Sequence, residues 1–350
     1  MIVEYPLIPL VEEFIRRSSK AKRLKANGKK LAPGTIDNYR YMLRHLKLYE
    51  EISQKSLRVT SVNKLSKQKL LRERRYWKRF YLEFTDYLYK QGCYDNYTGT
   101  VIKNIRAVFN YIEKEKQIDT GGFHKEFYVV KEEIPVITLM PSQLQFLINN
   151  KEFEESLANN LKACKDIFVF GCTVALRFGD LMKIEWKDIQ EINGAYYLVV
   201  TSQKSKTETR VKLPAYAVAI IDKLRKHSST REVFPYISLF WFNKCIQKIC
   251  EKAGWCNEIG KARSRRGVSQ NILHYKKERQ YRFCDIVSSH IMRRTAITTM
   301  LMHNVPESIV KKISGHSGDS KSFHRYINLV QSFMDAEVDK HFEKLNTIMM

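Results

Sequence analysis

The sequence predicts a mostly α fold of two domains with one small antiparallel β-sheet. Three observations predict it. Apolar residues recur at three- and four-residue spacing along most of the 350 positions, the pattern of amphipathic helices. One segment instead alternates on either side of Asn193-Gly194, a dipeptide that suits a two-residue hairpin turn. The length is also about that of two ordinary domains. With 44% hydrophobic and 28% charged residues, the composition is that of a globular chain rather than a disordered one.

The first domain is expected over residues 1–115. It opens on a basic segment, 14–31, in which Arg16, Arg17, Lys20, Lys22, Arg23, Lys25, Lys29 and Lys30 stand with no acid among them. Pro33-Gly34-Thr35 reads as a turn with a threonine cap, followed by Ile36, Tyr39, Leu43 and Leu46 at helical spacing. Trp77, Phe80, Tyr81, Phe84, Tyr87 and Leu88 form a second stripe, and Val101, Ile102, Ile105, Val108, Phe109 and Ile112 a third. Their spacing marks all three as core-facing rather than as base-stacking surfaces. The opposite faces carry Arg40, Arg44, Lys47, Arg74, Arg75, Lys78, Arg79, Lys103 and Arg106.

Residues 116–135 are expected to be a linker, broken by Thr120-Gly121-Gly122 and extended from Glu132 to Pro135. The second domain, 136–350, begins with helices near 142–150 and 159–175. Strands are expected over 184–192, 195–202 and 210–214, with a polar tip at 203–209. Helices follow near 215–227, 238–253, 289–303, 306–314 and 318–343, the second of the last three stretches closing on Ser314-Gly315. Between them, Lys261 to Arg282 holds eight basic residues and one acid.

Charge narrows the function. There are 61 Lys and Arg against 37 Asp and Glu, a formal net charge of +24, and self-repulsion on that scale points to a polyanionic partner, nucleic acid first. On this reading Arg16, Arg17, Lys20, Lys22, Arg23, Lys25, Arg40, Arg44, Arg74, Arg75 and Lys78 face DNA, as do Arg263, Arg265 and Arg266 in the basic stretch. The longest nearly apolar run, Ile167 to Leu176, is too short to span a bilayer. Glu4, Glu12 and Glu13 interrupt the amino terminus, so no signal peptide or membrane partner is expected and a cytoplasmic, nucleoid-associated protein is. Seven cysteines without CxxC spacing read as reduced thiols, neither a zinc site nor a disulfide framework.

Four short motifs fall in order along the second domain. They are Ala175-Leu176-Arg177-Phe178-Gly179-Asp180-Leu181, then Gln203-Lys204-Ser205-Lys206-Thr207, then Ser289-His290-Ile291-Met292-Arg293-Arg294-Thr295, and last Ser314-Gly315-His316 with Tyr326 beyond it. In this order, behind a basic helical domain, they resemble the tyrosine recombinase (phage integrase) family. The resemblance covers about 135–345. Gly34-Thr35-Ile36-Asp37-Asn38-Tyr39 resembles the family's core-type DNA-binding domain more loosely.

The resemblance implies a site-specific DNA recombinase of integrase or invertase type, acting on double-stranded DNA as a tetramer on two sites, with an accessory DNA-bending protein as a further partner. Tyr326 is then the nucleophile, and Arg177 and Arg293 clamp the phosphate. Two guanidiniums suit the spread negative charge of a phosphoryl transition state, being planar, paired donors that stay charged. HxxR spacing puts His290 beside Arg293 on one helix face, with Ser288 or Ser289 as the helix cap. Lys206 at the hairpin tip protonates the leaving oxygen, with Lys204 as the alternative. His316 hydrogen-bonds a phosphate oxygen, Asp180 orients the clamp, and Arg294 makes a structural or backbone-phosphate contact. The 3′-phosphotyrosyl link conserves bond energy, so no cofactor, ATP or metal is implied. The sequence has no Walker loop and no acidic cluster spaced for two metal ions.

His316 and Tyr326 are ten positions apart, where the family usually has nine. If a Gly318-Asp319 turn absorbs the extra residue, Tyr326 faces the site; otherwise it is turned by about 100° around its helix. Two alternatives share the scaffold: a DNA-binding regulator that does not cut, and an enzyme resembling type IB topoisomerases. The last helix carries Val330, Phe333, Met334, Val338 and Phe342 at helical spacing, which suits either packing on its own domain or exchange onto a neighbour.

Overall fold

The structure, a computed structural model, describes residues 3–25, 27–201, 208–226, 230–316 and 321–348. In chain order the elements are β1 (Glu4–Pro6), α1 (Leu7–Ser19), α2 (Pro33–Ser53), β2 (Arg58–Thr60), α3 (Lys67–Lys90) and α4 (Asp95–Glu115). Then come α5 (Pro141–Asn149), α6 (Lys151–Glu155), α7 (Asn159–Val174), α8 (Phe178–Leu181), β3 (Ile189–Ile192), β4 (Ala195–Thr201) and β5 (Glu208–Lys212). The chain continues with α9 (Ala215–Arg225), α10 (Leu239–Lys252), β6 (Ala262–Arg265), β7 (Val268–Asn271) and α11 (Phe283–Ile286). It ends with α12 (His290–Met302), α13 (Glu307–Ser314) and α14 (Lys321–Ile348). The mostly helical fold with small antiparallel sheets is the one the sequence predicts.

The chain divides into two compact units, Met1–Ile134 with Ala262–Ile272, and Pro135–Lys261 with Leu273–Met350. In the first, the three apolar stripes meet as one core, with Trp77, Phe84 and Phe109 almost wholly buried. Trp77 meets Phe109 edge-on at 4.7 Å, and Phe80 stacks on Phe84 at 5.2 Å. The threonine cap expected at Thr35 is not used. Helix α2 starts two residues earlier at Pro33, where a fixed φ and a missing N–H cost nothing in the first turn. Strands β1 and β2 pair antiparallel through Tyr5 and Val59.

The segment expected to be a linker is folded for most of its length. Ile118, Thr120, Phe123, His124 and Phe127 are buried in the first unit. Gly121 and Gly122 take φ of +72° and +65°, and the Glu113 carboxylate accepts from Thr120 Oγ1 and, at 3.2 Å, from the Gly122 N–H. The boundary between the units falls at Ile134.

The basic stretch holds a second difference. Its middle forms the β6–β7 hairpin, whose two turn residues, Arg266 and Gly267, have φ of +56° and +78°. Positive φ at both positions matches the right-handed twist of the strands. The hairpin belongs to the first unit. Asp95, 1% exposed, accepts from the N–H groups of Arg266 and Gly267 at 2.8 and 2.9 Å, and from Tyr89 Oη at 2.8 Å. Glu132 accepts from the Ser264 N–H and from Arg263 Nη1 at 3.0 Å. Arg266 pairs with Asp86, and Arg265 donates to Gly92 O at 3.2 Å over the Tyr94 ring. The three arginines expected to face DNA are therefore engaged by acids, a carbonyl and aromatic rings of their own unit.

In the second unit, α7 is the central helix. Ile167, Phe168, Val169, Phe170 and Cys172 are buried, and α12 packs along it. Gly171 permits that approach, since a Cβ there would lie 2.4 Å from Met292 Sδ and 3.2 Å from Met292 Cβ. The sheet is β3-β4-β5, antiparallel throughout, with Leu198 opposite both Ile189 and Val211. Its first strand is shorter than expected, because Trp186–Asp188 form a 3-10 turn first. All seven cysteines are free. Among the described residues no helix is long and apolar enough to cross a membrane.

Candidate active site

Helix α7 ends at Val174, and Ala175 follows in the left-handed region at φ +56°, fully buried. That turn redirects the chain so that Arg177 caps α8, with the Arg177 carbonyl accepting from the N–H groups of Asp180 and Leu181 at 2.9 and 2.8 Å. Both charged side chains of the first motif are thus carried on one tight corner at the end of the most buried helix.

Helix α12 supplies the second part. His290 opens it at the surface and Arg293, one turn on, is 4% exposed. The expected serine cap is absent. Ser289 is already in the helical region at φ −51°, ψ −26°, its side chain makes no cap bond, and its N–H donates instead to Asn243 Oδ1 at 2.8 Å. Arg293 Nη1 donates to Ala175 O at 3.0 Å, and Nη2 lies 3.3 and 3.4 Å from the two ring nitrogens of His316. Burial, and then the Arg177 charge, push the Arg293 guanidinium down to about 10, while Tyr326 and Asp180 oppose the shift. It stays a cation at neutral pH.

Helices α13 and α14 bring the rest. Gly315 closes α13 at φ +63° and presents His316. Burial first, then Arg293, Arg177, His290 and Lys311, lower the His316 imidazole to about 4, so the ring is neutral at pH 7. Tyr326 is 6% exposed, with its ring 6.0 Å from that of His316 and 6.1 Å from Phe323. Arg294 is half-buried; burial lowers its pKa and the nearby Tyr326 opposes this. Among the residues of α14 whose burial is described, Phe323, Tyr326 and Val330 are buried. They sit at i, i+3 and i+7, so this apolar stripe sets which side of the helix the tyrosine faces. The ten-residue spacing leaves Tyr326 on the His316 side. Gly318 and Asp319 lie outside the described residues, as do Lys204 and Lys206.

Arg293, His316 and Tyr326 are thereby brought together, the charges of Arg177, Asp180 and His290 act on them, and Arg294 lies near the tyrosine. Sequence reasoning gave no role to Ser314 and Ala175, which contact His316 and Arg293; the only trace in the sequence was their place at the start of two of the motifs. In the first unit Arg16, Lys20, Lys22, Lys25, Arg44, Arg75 and Lys78 are exposed. Others of the expected DNA-facing set have acidic neighbours: Arg17 and Arg23 reach Glu115 at 3.3 and 2.7 Å, Arg40 reaches Asp37 at 2.7 Å, and Arg74 reaches Glu126 at 3.0 Å.

A helical domain with a small antiparallel sheet, paired arginines, two histidines and a buried tyrosine in one unit is an arrangement of the tyrosine recombinase class. The phage integrase family model matches residues 139–332, and the chain belongs to that family. Solved structures share the fold. The XerH site-specific recombinase bound to palindromic difH substrate, a post-cleavage complex, is 14% identical with a TM-score of 0.60, covering 94% of this chain and 84% of that one. A lambda integrase dimer bound to a COC′ core site is 11% identical with a TM-score of 0.57, covering 92% and 77%. The Tn1549 transposon integrase in complex with transposon right end DNA is 13% identical with a TM-score of 0.56, covering 93% and 94%. No curated protein matches.

Proposed function

We propose that the chain is a site-specific DNA recombinase that cuts and rejoins duplex DNA through Tyr326. The observation that carries this reading is the buried Tyr326 beside the neutral His316 and within the fields of Arg293 and Arg294. Nearby cations stabilise the negative charge that a phenol oxygen carries as it attacks phosphorus. Arg177 and Arg293 hold the non-bridging oxygens, where the charge of the transition state grows. Asp180 steadies the pair, and His290 shares their face. Tyr326 gives up its hydroxyl proton to water as its Oη bonds to phosphorus, and the P–O bond to the 5′ oxygen breaks. A hairpin lysine, Lys206 or Lys204, gives the departing oxygen its proton. The 3′-phosphotyrosyl link keeps the bond energy, and a second 5′ hydroxyl reverses the step on a new strand.

The exposed lysines and arginines of the first unit supply backbone contacts on either side of the cut, and helices in the major groove read the bases. The family match and the DNA-bound structures of similar fold support this assignment. Met334, Val338 and Phe342, four residues apart along α14 and all exposed, suit docking on a second copy in a tetramer on two DNA sites.

Incubation of the purified protein with nicked duplexes tiled across the DNA around its gene tests the reading. A slow-migrating covalent adduct is expected for the wild type and none for Tyr326→Phe. Salt-sensitive binding with no adduct on any duplex would leave a DNA-binding regulator. An adduct that relaxes supercoils as a monomer, with no strand exchange, would indicate a topoisomerase.

A further inference from the structure

Cys256 and Cys284 flank the stretch of chain that carries the β6–β7 hairpin. Its two arms run antiparallel at the root. Ile259 N–H donates to Tyr281 O at 2.9 Å, Phe283 N–H to Asn257 O at 2.9 Å and Cys284 N–H to Trp255 O at 3.2 Å. Glu258 stands opposite Arg282, and the same register carried two residues further sets Cys256 opposite Cys284. Their sulfurs lie 3.5 Å apart.

The two thiols differ in access. Cys284, in α11, is buried, whereas Cys256 is partly exposed. Burial, and then the contact with Cys256, push the Cys284 thiol up to about 11, with Arg282 opposing, so Cys284 keeps its proton at neutral pH. A cystine bond is about 2.05 Å long, so the sulfurs must close the 3.5 Å gap by about 1.5 Å. A shift of that size lies within the arc that a cysteine sulfur sweeps between staggered rotamers, and the backbones beside the pair are already bonded. The other cysteines offer no such pair to solution. Cys164, Cys172, Cys245 and Cys250 are at most 2% exposed, and Cys93 is the one cysteine of the first unit.

We propose that Cys256 and Cys284 are a redox modification site: a small-molecule disulfide converts the pair to a cystine that staples the root of residues 257–283. Cys256, as its thiolate, attacks one sulfur of the reagent, whose S–S bond breaks and whose first half leaves. The Cys284 sulfur then attacks the Cys256 sulfur of the mixed disulfide, and the second half leaves. The protons of both cysteines end on the two released thiols, the protein gives up two electrons and the reagent gains them. Excess thiol reverses both exchanges. The new bond closes a ring on residues 257–283, which restricts the unfolded chain. It also ties α11, the segment leading into α12, to the chain just beyond α10. This goes beyond the recombinase reading and does not depend on it.

The full chain is incubated with glutathione disulfide under native conditions, alkylated and mapped by mass spectrometry. A cystine peptide joining Cys256 to Cys284 is expected, and dithiothreitol should abolish it. Oxidation should shift the urea midpoint of the wild type upward and leave that of Cys256→Ser in place. Cys284→Ser should accumulate glutathione on Cys256, because the sulfur that displaces it is gone. Wild-type protein left with both thiols free overturns the proposal, as does one that holds glutathione on Cys256 without forming the cystine. A cystine that appears only in urea overturns it too, since the folded pair would then not be the reacting species. An oxidised protein whose urea midpoint stays or falls overturns the staple. Every reading is made without DNA, so the presence or absence of a DNA adduct bears on the recombinase reading alone.

Discussion

Arg293 Nη1 donates to the main-chain oxygen of Ala175 at 3.0 Å, so the guanidinium of α12 is anchored on the left-handed turn that ends α7. One arm is fixed by backbone and the other lies over a neutral imidazole, which leaves the planar donor pair held in one orientation. Preorganised donors of this kind act on developing charge without reorganising during the reaction.

Arg293→Lys should accordingly lose far more than charge would suggest. A lysine is a single ammonium and cannot reach Ala175 O, His316 and a phosphate together. Loss of an oriented donor at a developing oxyanion costs about 10²-fold to 10³-fold in rate. Single-turnover adduct formation on a nicked duplex checks this, with fluorescence anisotropy to show that DNA affinity is retained.

Gly171→Ala should destabilise the second unit. The new Cβ would meet Met292 Sδ at 2.4 Å, Met292 Cβ at 3.2 Å and Leu181 Cδ2 at 3.2 Å, next to Arg293. Overpacking of this kind costs about 1–3 kcal/mol. Denaturant unfolding of the single variant and of Gly171→Ala with Met292→Ala should show coupling, the second change relieving the first.

Asp95→Ala should loosen the β6–β7 hairpin. It strips acceptors from the N–H groups of Arg266 and Gly267 and from Tyr89 Oη. These donors are part-buried, so each loss costs at most about 1–3 kcal/mol, the range for a fully buried unpaired group. Hydrogen exchange should report faster exchange at the two turn amides, with the core helices α3 and α4 less affected.

Acid should weaken the second unit in a defined window. The folded His316 titrates near 4 against a reference of 6.5, so the unfolded chain binds the proton first. The stabilisation is whole above pH 6.5 and is lost as pH falls through 4. Thermal melts between pH 7 and 4 should show a falling midpoint, and His316→Gln should flatten the upper part of that fall.

The helices, the hairpin around Asn193-Gly194, the motif residues and the basic character were all legible in the sequence, because each is written in local spacing or composition. Trp77, Phe80 and Phe84 had to face inward once the helix period was recognised, and the structure buries all three. Phe323, Tyr326 and Val330 were equally readable as a stripe, yet the spacing from His316 drew attention to the loop rather than to the helix phase that decides where the tyrosine points.

What only the tertiary structure decided was partnership between distant residues. Arg263, Arg265 and Arg266 read as DNA contacts because sequence records charge and not its neighbour; Asp86, Asp95 and Glu132 lie more than 130 positions away along the chain. Residues 116–127 read as part of a linker because glycines and polar residues dominate them, whereas His124 and Phe127 gain their burial from α3 and α4. Ser314 was one serine among many until the fold set its hydroxyl between Val310 O and His316 Nδ1. Periodicity and charge are properties of a segment and survive in one dimension. A hydrogen bond's direction, and the acceptor a cation meets, depend on which segments fold together.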